Sequence, residues 1–466
     1  MQVPILNGIF ADNGPDLRTS YPVNLVPVPK QSGISAGFLR PGDGIVANGT
    51  GPGIDRGGIN WNGVCYRVMG TKLVTVASNG TVTVLGDVGG PVNTPATMDY
   101  SFDRLAIASG GRLYYWNGAL TQVSDPDLGV VLDVVWVDGY FMTTDGTSLV
   151  VTDLSDPTQV NPLKYGSSEV DPDPVVALLK LRNEVYALNR NTIEVFDNVG
   201  GEFFPFQRID GAHITKGVAG TFACCVYVDA IAFLGGGRNE SPGIYLGANA
   251  TAKKISTQEI DQILLGYTEA QLAEVKLEAR NDKAHQHLYV HLPDRTLVFD
   301  AAATGELSQS VWFTLTTSQV GFGQYRARNL VWAYDKWLVG DPQSSSIGYL
   351  VNNIGTHWGQ IVRWEFGTLI VYNESNGAIF NELELVSLTG SVALGVDPVI
   401  STSYSVDGQA WSQDRFIRAG TTGSRKRLAW FQQGHMRNWR IQRFRGDSQS
   451  HMSFIRLEAQ IEPLAY

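Results

Sequence analysis

Residues 57–88 read GGINWNGVCYRVMGTKLVTVASNGTVTVLGDV, and the fold is decided there. Short runs rich in Val, Leu and Tyr, near Tyr66–Met69, Lys72–Ala77 and Thr81–Leu85, are punctuated by Asn62-Gly63 and Asn79-Gly80. Asn-Gly between such runs is the residue pair that a two-residue β-hairpin demands. The unit recurs as Arg104–Ala108, Arg112–Trp116 and Leu120–Val123, then as Val134–Val137, Tyr140–Thr144 and Leu149–Asp153. Further units fall at Val175–Asp210, Lys216–Ser256, Leu277–Thr317 and Tyr325–Gly367. About seven units spaced by roughly 30 to 45 residues are the signature of propeller blades. The expected fold is therefore all-β, a roughly seven-bladed β-propeller over 57–368. The repeat is one of pattern and not of a fixed motif, so the count is good to one blade. A β-sandwich followed by a smaller barrel is the competing architecture.

Two segments depart from the repeat. Within 257–276, Ile260, Ile263, Leu264 and Leu272 recur at helical spacing and Thr268 with Gln271 forms a capping box, so two short helices broken at Gly266 are expected. After Thr368 longer strands begin, and Phe454, Arg456, Glu458 and Gln460 alternate with Ile455, Leu457, Ala459 and Ile461. That alternation predicts a half-buried antiparallel strand, and residues 369–466 are expected to form a C-terminal β-sandwich.

Residues 1–56 carry Pro4, Pro15, Pro22, Pro27, Pro29, Pro41 and Pro52, which exclude a long helix or a central strand. Ile5, Leu6, Phe10, Leu25, Val26, Phe38 and Leu39 are too apolar for a solvated leader. The segment reads as an extended proline-rich N-terminal arm laid across a neighbour, so deletion of residues 1–30 is expected to damage assembly more than folding.

Composition narrows the function. Of 466 residues 17% are charged, with 51 Gly and 20 Pro, which suits a turn-rich β protein whose surface partners cover. The net charge of −10 repels nucleic acid from the molecule as a whole. Cys65 and the adjacent Cys224 and Cys225 are an odd, sparse set with no evident bridge, as expected of assembly in a reducing cytoplasm. Met1–Phe10 lacks a basic segment followed by an apolar run, and no stretch reaches the ~18 apolar residues of a membrane span, so no membrane anchor is expected.

Motifs that suggest catalysis or metal binding fail on geometry. His285, His287 and His291 share parity on one predicted strand, with Asp282 and Asp294 nearby. At a rise near 3.3 Å per residue, His285 and His291 stand about 20 Å apart, too far to share one ion. No metal or other cofactor is assigned. Ser405–Trp411 resembles the Asp-box hairpin of sialidases, but it occurs once, outside the repeat, without the arginine cluster, tyrosine nucleophile and acid of that chemistry. Gly235–Gly237 lacks the helix and lysine of a phosphate loop. Cys224 and Cys225 sit in an apolar strand and read as packing residues. No catalytic residue is assigned and the protein is not expected to be an enzyme.

One charge pattern stands out. Between Trp411 and Arg456 there are nine Arg and one Lys against Asp414 and Asp447, 10 − 2 = +8 in a chain of −10, so the remainder sums to −18. Arg425, Lys426, Arg427, Arg437, Arg440, Arg443 and Arg445 interleave with Trp430, Phe431, Trp439 and Phe444. Such a patch suits either nucleic acid or an acidic protein surface, and docking against a partner subunit is the favoured reading. On that reading, reversing Arg440 and Arg443 to Glu leaves the isolated subunit folded and blocks its incorporation into particles.

Tyr21-Pro-Val-Asn24, Pro29-Lys30, Gly37-Phe-Leu-Arg40, Gly217–Gly220, Ile244-Tyr-Leu246, Ile260–Leu264 with Tyr267-Thr268, His291-Leu-Pro293, Leu297–Ala301 and the region Trp430–Ile461 run nearly the length of the chain. Together they resemble the packaged-DNA stabilization proteins, or tail accessory (tail hub) proteins, of short-tailed enterobacterial phages. The resemblance implies a virion component assembled in the host cytoplasm, a homo-oligomer, specifically a hexamer, added below the portal-adaptor ring after packaging. It implies a plug that retains the genome until ejection, with attachment for the tail needle and tailspikes, near packaged DNA but without sequence-specific binding to it. Residues similar to His285 and His291 occur in that family, and His287 departs from it. The alternative reading is a receptor-directed carbohydrate-binding or glycan-cleaving propeller, for which 11 Trp and 18 Tyr supply stacking surfaces.

Overall fold

In the computed structural model Asn62 and Gly63 adopt φ of 52° and 78°, the left-handed pair that a type I′ hairpin requires. They fold Asp55–Trp61 back onto Val64–Met69, and Lys72–Val76 and Val82–Asp87 complete an antiparallel sheet. The structure describes residues 1–11, 18–30, 33–201, 203–373, 376–390 and 392–464; Pro15, among the arm's prolines, lies outside them. Among these residues, six further sheets of four or five strands follow the same meander. The innermost strands, Asp55–Trp61, Thr97–Tyr100, Asp133–Val137, Val175–Leu181, Cys224–Tyr227, Lys276–Asp282 and Arg328–Ala333, each touch the next, and the last touches the first. A closed ring results. Apolar clusters fill the wedges between sheets, such as Val68, Leu73, Leu105 and Ile107 between the first two.

The ring closes through a strand from the other end of the chain. Arg328–Ala333, Lys336–Gly340 and Ser346–Val351 form three strands of the last sheet, and Gly44–Thr50 adds the outer one, with Ile45 opposite Leu350 and Val46 opposite Tyr349. The helical insertion holds α1 (Gln258–Leu264) and α2 (Glu269–Ala273), and the Thr268/Gln271 capping box forms: Thr268 N donates to Gln271 Oε1 at 2.9 Å and Gln271 N donates to Thr268 Oγ1 at 3.3 Å. A third helix, α3 (Ala301–Leu307), interrupts the sixth sheet.

The sandwich packs two sheets. One contains Leu25–Pro29, Gly37–Pro41, Phe454–Pro463, Ala378–Ser387 and Leu428–Phe431; the other contains Arg363–Gly367, Trp439–Asp447, Val399–Ser405 and Arg415–Arg418. Trp364, Phe366, Phe380, Leu385, Phe444, Phe454 and Leu457 fill the space between them.

Three expectations are corrected here. The N-terminal segment does not hang free for a neighbour: Gln2–Val3, Leu25–Pro29 and Gly37–Pro41 pair within the sandwich, and Val3, Ile5, Leu25 and Leu39 belong to its core. Ile9 enters the propeller core and its N–H donates to Trp312 O at 2.8 Å. Arg363–Gly367, read as the end of the seventh repeat, pairs with Trp439–Asp447 and so belongs to the sandwich; its partner lies far along the chain, where the local repeat pattern does not reach. Phe454, placed by alternation on the face of Arg456 and Glu458, is buried with Leu457; a register shift opposite Val386 and Ser387 switches the strand's phase.

Asn24 joins the two domains. It holds φ 53°, and its side-chain amide donates to Thr316 O at 2.9 Å and Arg363 O at 2.7 Å, while Thr316 N donates to its Oδ1 at 3.0 Å. One buried amide thus ties the residue just past propeller strand Trp312–Leu315 to a sandwich strand.

Burial also sets a pH response. His357 is fully enclosed beside Thr317 and Tyr325, and burial drops its imidazole to about 4. The folded form holds it neutral, so its contribution is complete above the unfolded value near 6.5 and is lost as pH falls toward 4. The difference is worth about 3 kcal/mol. Asp133, pushed up to about 7 by burial, runs the other way, losing stability as pH rises. A comparison of His357→Gln with wild type separates the two. In urea unfolding the variant's deficit is expected to shrink by about 3 kcal/mol between pH 7 and pH 4; a deficit independent of pH contradicts this.

Candidate functional site

Strand Trp439–Asp447 sends alternate side chains to opposite faces, and this sorts the basic residues. Arg440 shares parity with Gln442 and Phe444 and is completely buried. Its guanidinium lies over the rings of Tyr404 and Phe380, at 3.8 and 4.3 Å. It donates through Nη1 to Gln433 O at 2.6 Å and through Nε to Gln442 Oε1 at 3.0 Å. Burial brings it down to about 10. Arg440 is therefore a core residue, and its assignment to a docking surface is corrected. The parity it shares with Phe444 was the available signal.

Arg443 and Arg445, of opposite parity, are half-buried and reach a cleft of about 490 Å³ between sandwich and propeller. Arg443 stacks on Trp411 at 3.9 Å and donates to Ser403 Oγ. Arg445 lies 3.6 Å from Glu365 and 3.7 Å from Asp414. The cleft brings in two arginines that the sequence analysis missed. Arg363 bonds Glu365 at 3.1 Å, and Arg295 stacks on Phe322 at 4.1 Å. Burial, with Glu365 beside it, holds the Tyr21 phenol well above its usual range. Neither arginine belongs to the C-terminal charge run, so only the fold unites them.

The remaining basic residues scatter. Arg427 is exposed and bridges Glu382 at 2.7 Å and Glu384 at 2.5 Å, which holds its guanidinium above its usual range. Arg425 and Lys426 precede it, exposed and with no carboxylate within 4 Å among the described residues. Arg437 is likewise exposed, but it follows Met436, which pairs with Ala378, while Leu428 pairs with Leu385. Arg437 and the 425–427 group therefore stand at opposite ends of strand Ala378–Ser387, and the seven residues do not form a single patch.

The other candidates resolve into local structure. Asp407 accepts from Gln409 N and Ala410 N at 2.9 and 2.8 Å, an Asx turn that shapes the Ser405–Trp411 hairpin. Burial raises both thiols of Cys224 and Cys225, away from reactivity. His291 bonds Glu278 Oε2 at 3.1 Å and Thr296 Oγ1 at 3.0 Å, separate from His285 and His287. Asp282 bridges Arg280, and Asp294 bridges Arg295.

A ring of antiparallel sheets closed by its own N-terminal strand, clasped to a β-sandwich across an arginine-lined cleft, defines a two-domain propeller–sandwich protein. The chain belongs to the Bacteriophage P22 Gp10 family, whose β-propeller description matches residues 1–355 and whose β-sandwich description matches residues 363–462. The second match begins where Arg363–Gly367 enters the sandwich. Tail hub protein gp10 of Salmonella phage P22 is 27% identical over 462 residues, covering 94% of each chain. Among solved structures, the WD40 domain of Neurospora crassa Pan2 aligns at 9% identity and a TM-score of 0.42, over 66% of this chain and 95% of that one. The N-terminal domain of Nup159 aligns at 8% identity and a TM-score of 0.41, over 71% and 99%.

Proposed function

We propose that this chain is a structural, non-enzymatic hub subunit of a short-tailed phage tail. The observation that carries this reading is the end-to-end likeness, through both domains, to a tail hub protein. In this reading it assembles in the host cytoplasm as a hexamer beneath the portal adaptor. There it closes the channel after packaging and carries needle and tailspikes. The net charge of −10 suits a wall that borders a packaged polyanion without gripping it. Filled heads lacking this protein are expected to leak DNA and to be rescued by adding the purified chain. Heads that retain DNA without it, or cleavage of host surface polysaccharide by the chain, overturn the reading.

Docking uses the basic residues that the fold brings to the cleft and to the open surface. Arg443 and Arg445, with Arg295 and Arg363, offer an acidic segment of a neighbouring subunit a cleft rich in guanidinium groups; Arg425 and Lys426 offer a second, open contact. Arg425→Glu with Lys426→Glu, and separately Arg443→Gln with Arg445→Gln, are each expected to lower incorporation into particles on the order of tenfold at physiological salt. The melting temperature of the open-contact pair stays unchanged, because exposed charges contribute little to stability. Normal particle yield from both double variants removes the docking assignment.

A further inference from the structure

His285 and His287 stand two residues apart on one face of strand His285–His291, their rings stacked at 5.0 Å between centroids. Asp300, the last residue of the neighbouring strand Thr296–Asp300, pairs directly with His287. Its carboxylate is divided between two tasks. Oδ1 accepts from the backbone N–H groups of Gln286, Ala302 and Ala303, at 3.2, 3.1 and 3.3 Å, and so caps α3. Oδ2 is left pointing at the imidazoles, 2.6 Å from His285 Nδ1 and 3.5 Å from His287 Nε2.

Two further observations point to a ligand. His287 is 5% exposed and its Nε2 is buried with no hydrogen-bond partner, an arrangement that costs free energy unless something binds there. One donor atom from each of the three residues lies within 4.8 Å of the others. Ligand bonds of about 2.0–2.2 Å in a tetrahedral site place donor atoms roughly 3.3 Å apart. The His287–Asp300 separation already fits. The partly exposed His285 has to draw back from Asp300 and close on His287, because the three donor atoms are gathered only to within 4.8 Å of one another.

We propose that His285, His287 and Asp300 form a binding site for a divalent transition-metal ion, of which Zn²⁺ is the best match. Two imidazoles with one carboxylate suit Zn²⁺ and its neighbours rather than Mg²⁺ or Ca²⁺, which take oxygen donors. The ion would pin the second and third strands of the sixth sheet to the start of α3, a clip within the ring rather than a catalytic centre. His291, bonded to Glu278 and Thr296, takes no part.

The test uses the full-length chain stripped with chelator and titrated with Zn²⁺ by calorimetry. A Co²⁺ titration, read by visible absorption, reports coordination geometry. One equivalent is expected to bind, the melting temperature to rise with free Zn²⁺ by mass action, and Co²⁺ to give the intense bands of a four-coordinate site. His285→Gln, at a partly exposed position that tolerates change, is expected to weaken binding at least tenfold, and Asp300→Asn likewise. His435→Gln, at an exposed histidine elsewhere, is expected to change nothing. Equal affinity in wild type and His285→Gln, loss of binding in His435→Gln instead, or no binding at micromolar Zn²⁺ each overturns the proposal.

Discussion

A chain lacking residues 1–30 is expected not to reach the native state, or to melt more than about 10 °C below the full chain. The prolines of this segment suggest an arm for a neighbour, yet its described residues pack into their own subunit. Val3, Ile5, Ile9, Val23, Leu25 and Val26 are all buried, none more than 5% exposed. At about 1.5–3 kcal/mol for each buried aliphatic side chain, removing six of them approaches or exceeds the ~5–15 kcal/mol that holds a typical domain together. The deletion also removes the Asn24 amide that bridges Thr316 and Arg363, and leaves Gly37–Pro41 without one of its two neighbouring strands. Both domains lose contacts, so the defect should appear in the isolated subunit, by circular dichroism melting, before any assembly step. A truncated subunit that melts within a few degrees of the full chain, and fails only to enter particles, restores the neighbour-binding reading.

Why the arm was misread is a matter of range. Prolines report local backbone freedom, and Leu25–Pro29, LVPVP, satisfies them by lying at the edge of its sheet. The apolar residues did announce burial, but nothing local says against what. Gly44–Thr50 meets Ser346–Val351 some 300 residues later, a pairing no window of sequence contains. The repeating sheets were legible for the opposite reason. Asn62-Gly63 dictates its own hairpin, and Thr268 with Gln271 its own helix start, through contacts a few residues long. The candidate site fell between these cases. Strand alternation placed Arg443 and Arg445 together and, read strictly, set Arg440 with Phe444 on the other face; counting charge across the whole run concealed that. Arg295 and Arg363 reach the cleft only through tertiary structure. The histidines show the same limit, because rejecting His291 as a ligand on distance said nothing about His285, His287 and a carboxylate on the next strand.

Substitutions at Arg440 are expected to act on folding, not on docking. The side chain is enclosed, with Phe380 and Tyr404 on its faces and the Gln433 carbonyl and Gln442 amide on its donors. Arg440→Met keeps much of the volume but abandons both acceptors, so it should cost about 2–4 kcal/mol, the usual penalty for buried polar groups left unpaired. Arg440→Glu is worse. It replaces a cation held by two π faces and a carbonyl with an anion facing the same groups, and an uncompensated buried charge costs at least 3–5 kcal/mol, or about the whole stability of a small domain. Reversal of Arg440 and Arg443 together therefore cannot serve as a test of docking, since the sandwich it would test is not expected to fold. Limited proteolysis can separate the domains: in Arg440→Glu, cleavage should concentrate in residues 363–464 while the propeller stays protected. Arg425→Glu with Lys426→Glu, two equally drastic reversals at exposed positions, should leave the same digest unchanged to within about 0.5 kcal/mol of stability. An Arg440→Glu subunit with wild-type melting and an intact sandwich would place the guanidinium at a surface and return Arg440 to the docking set.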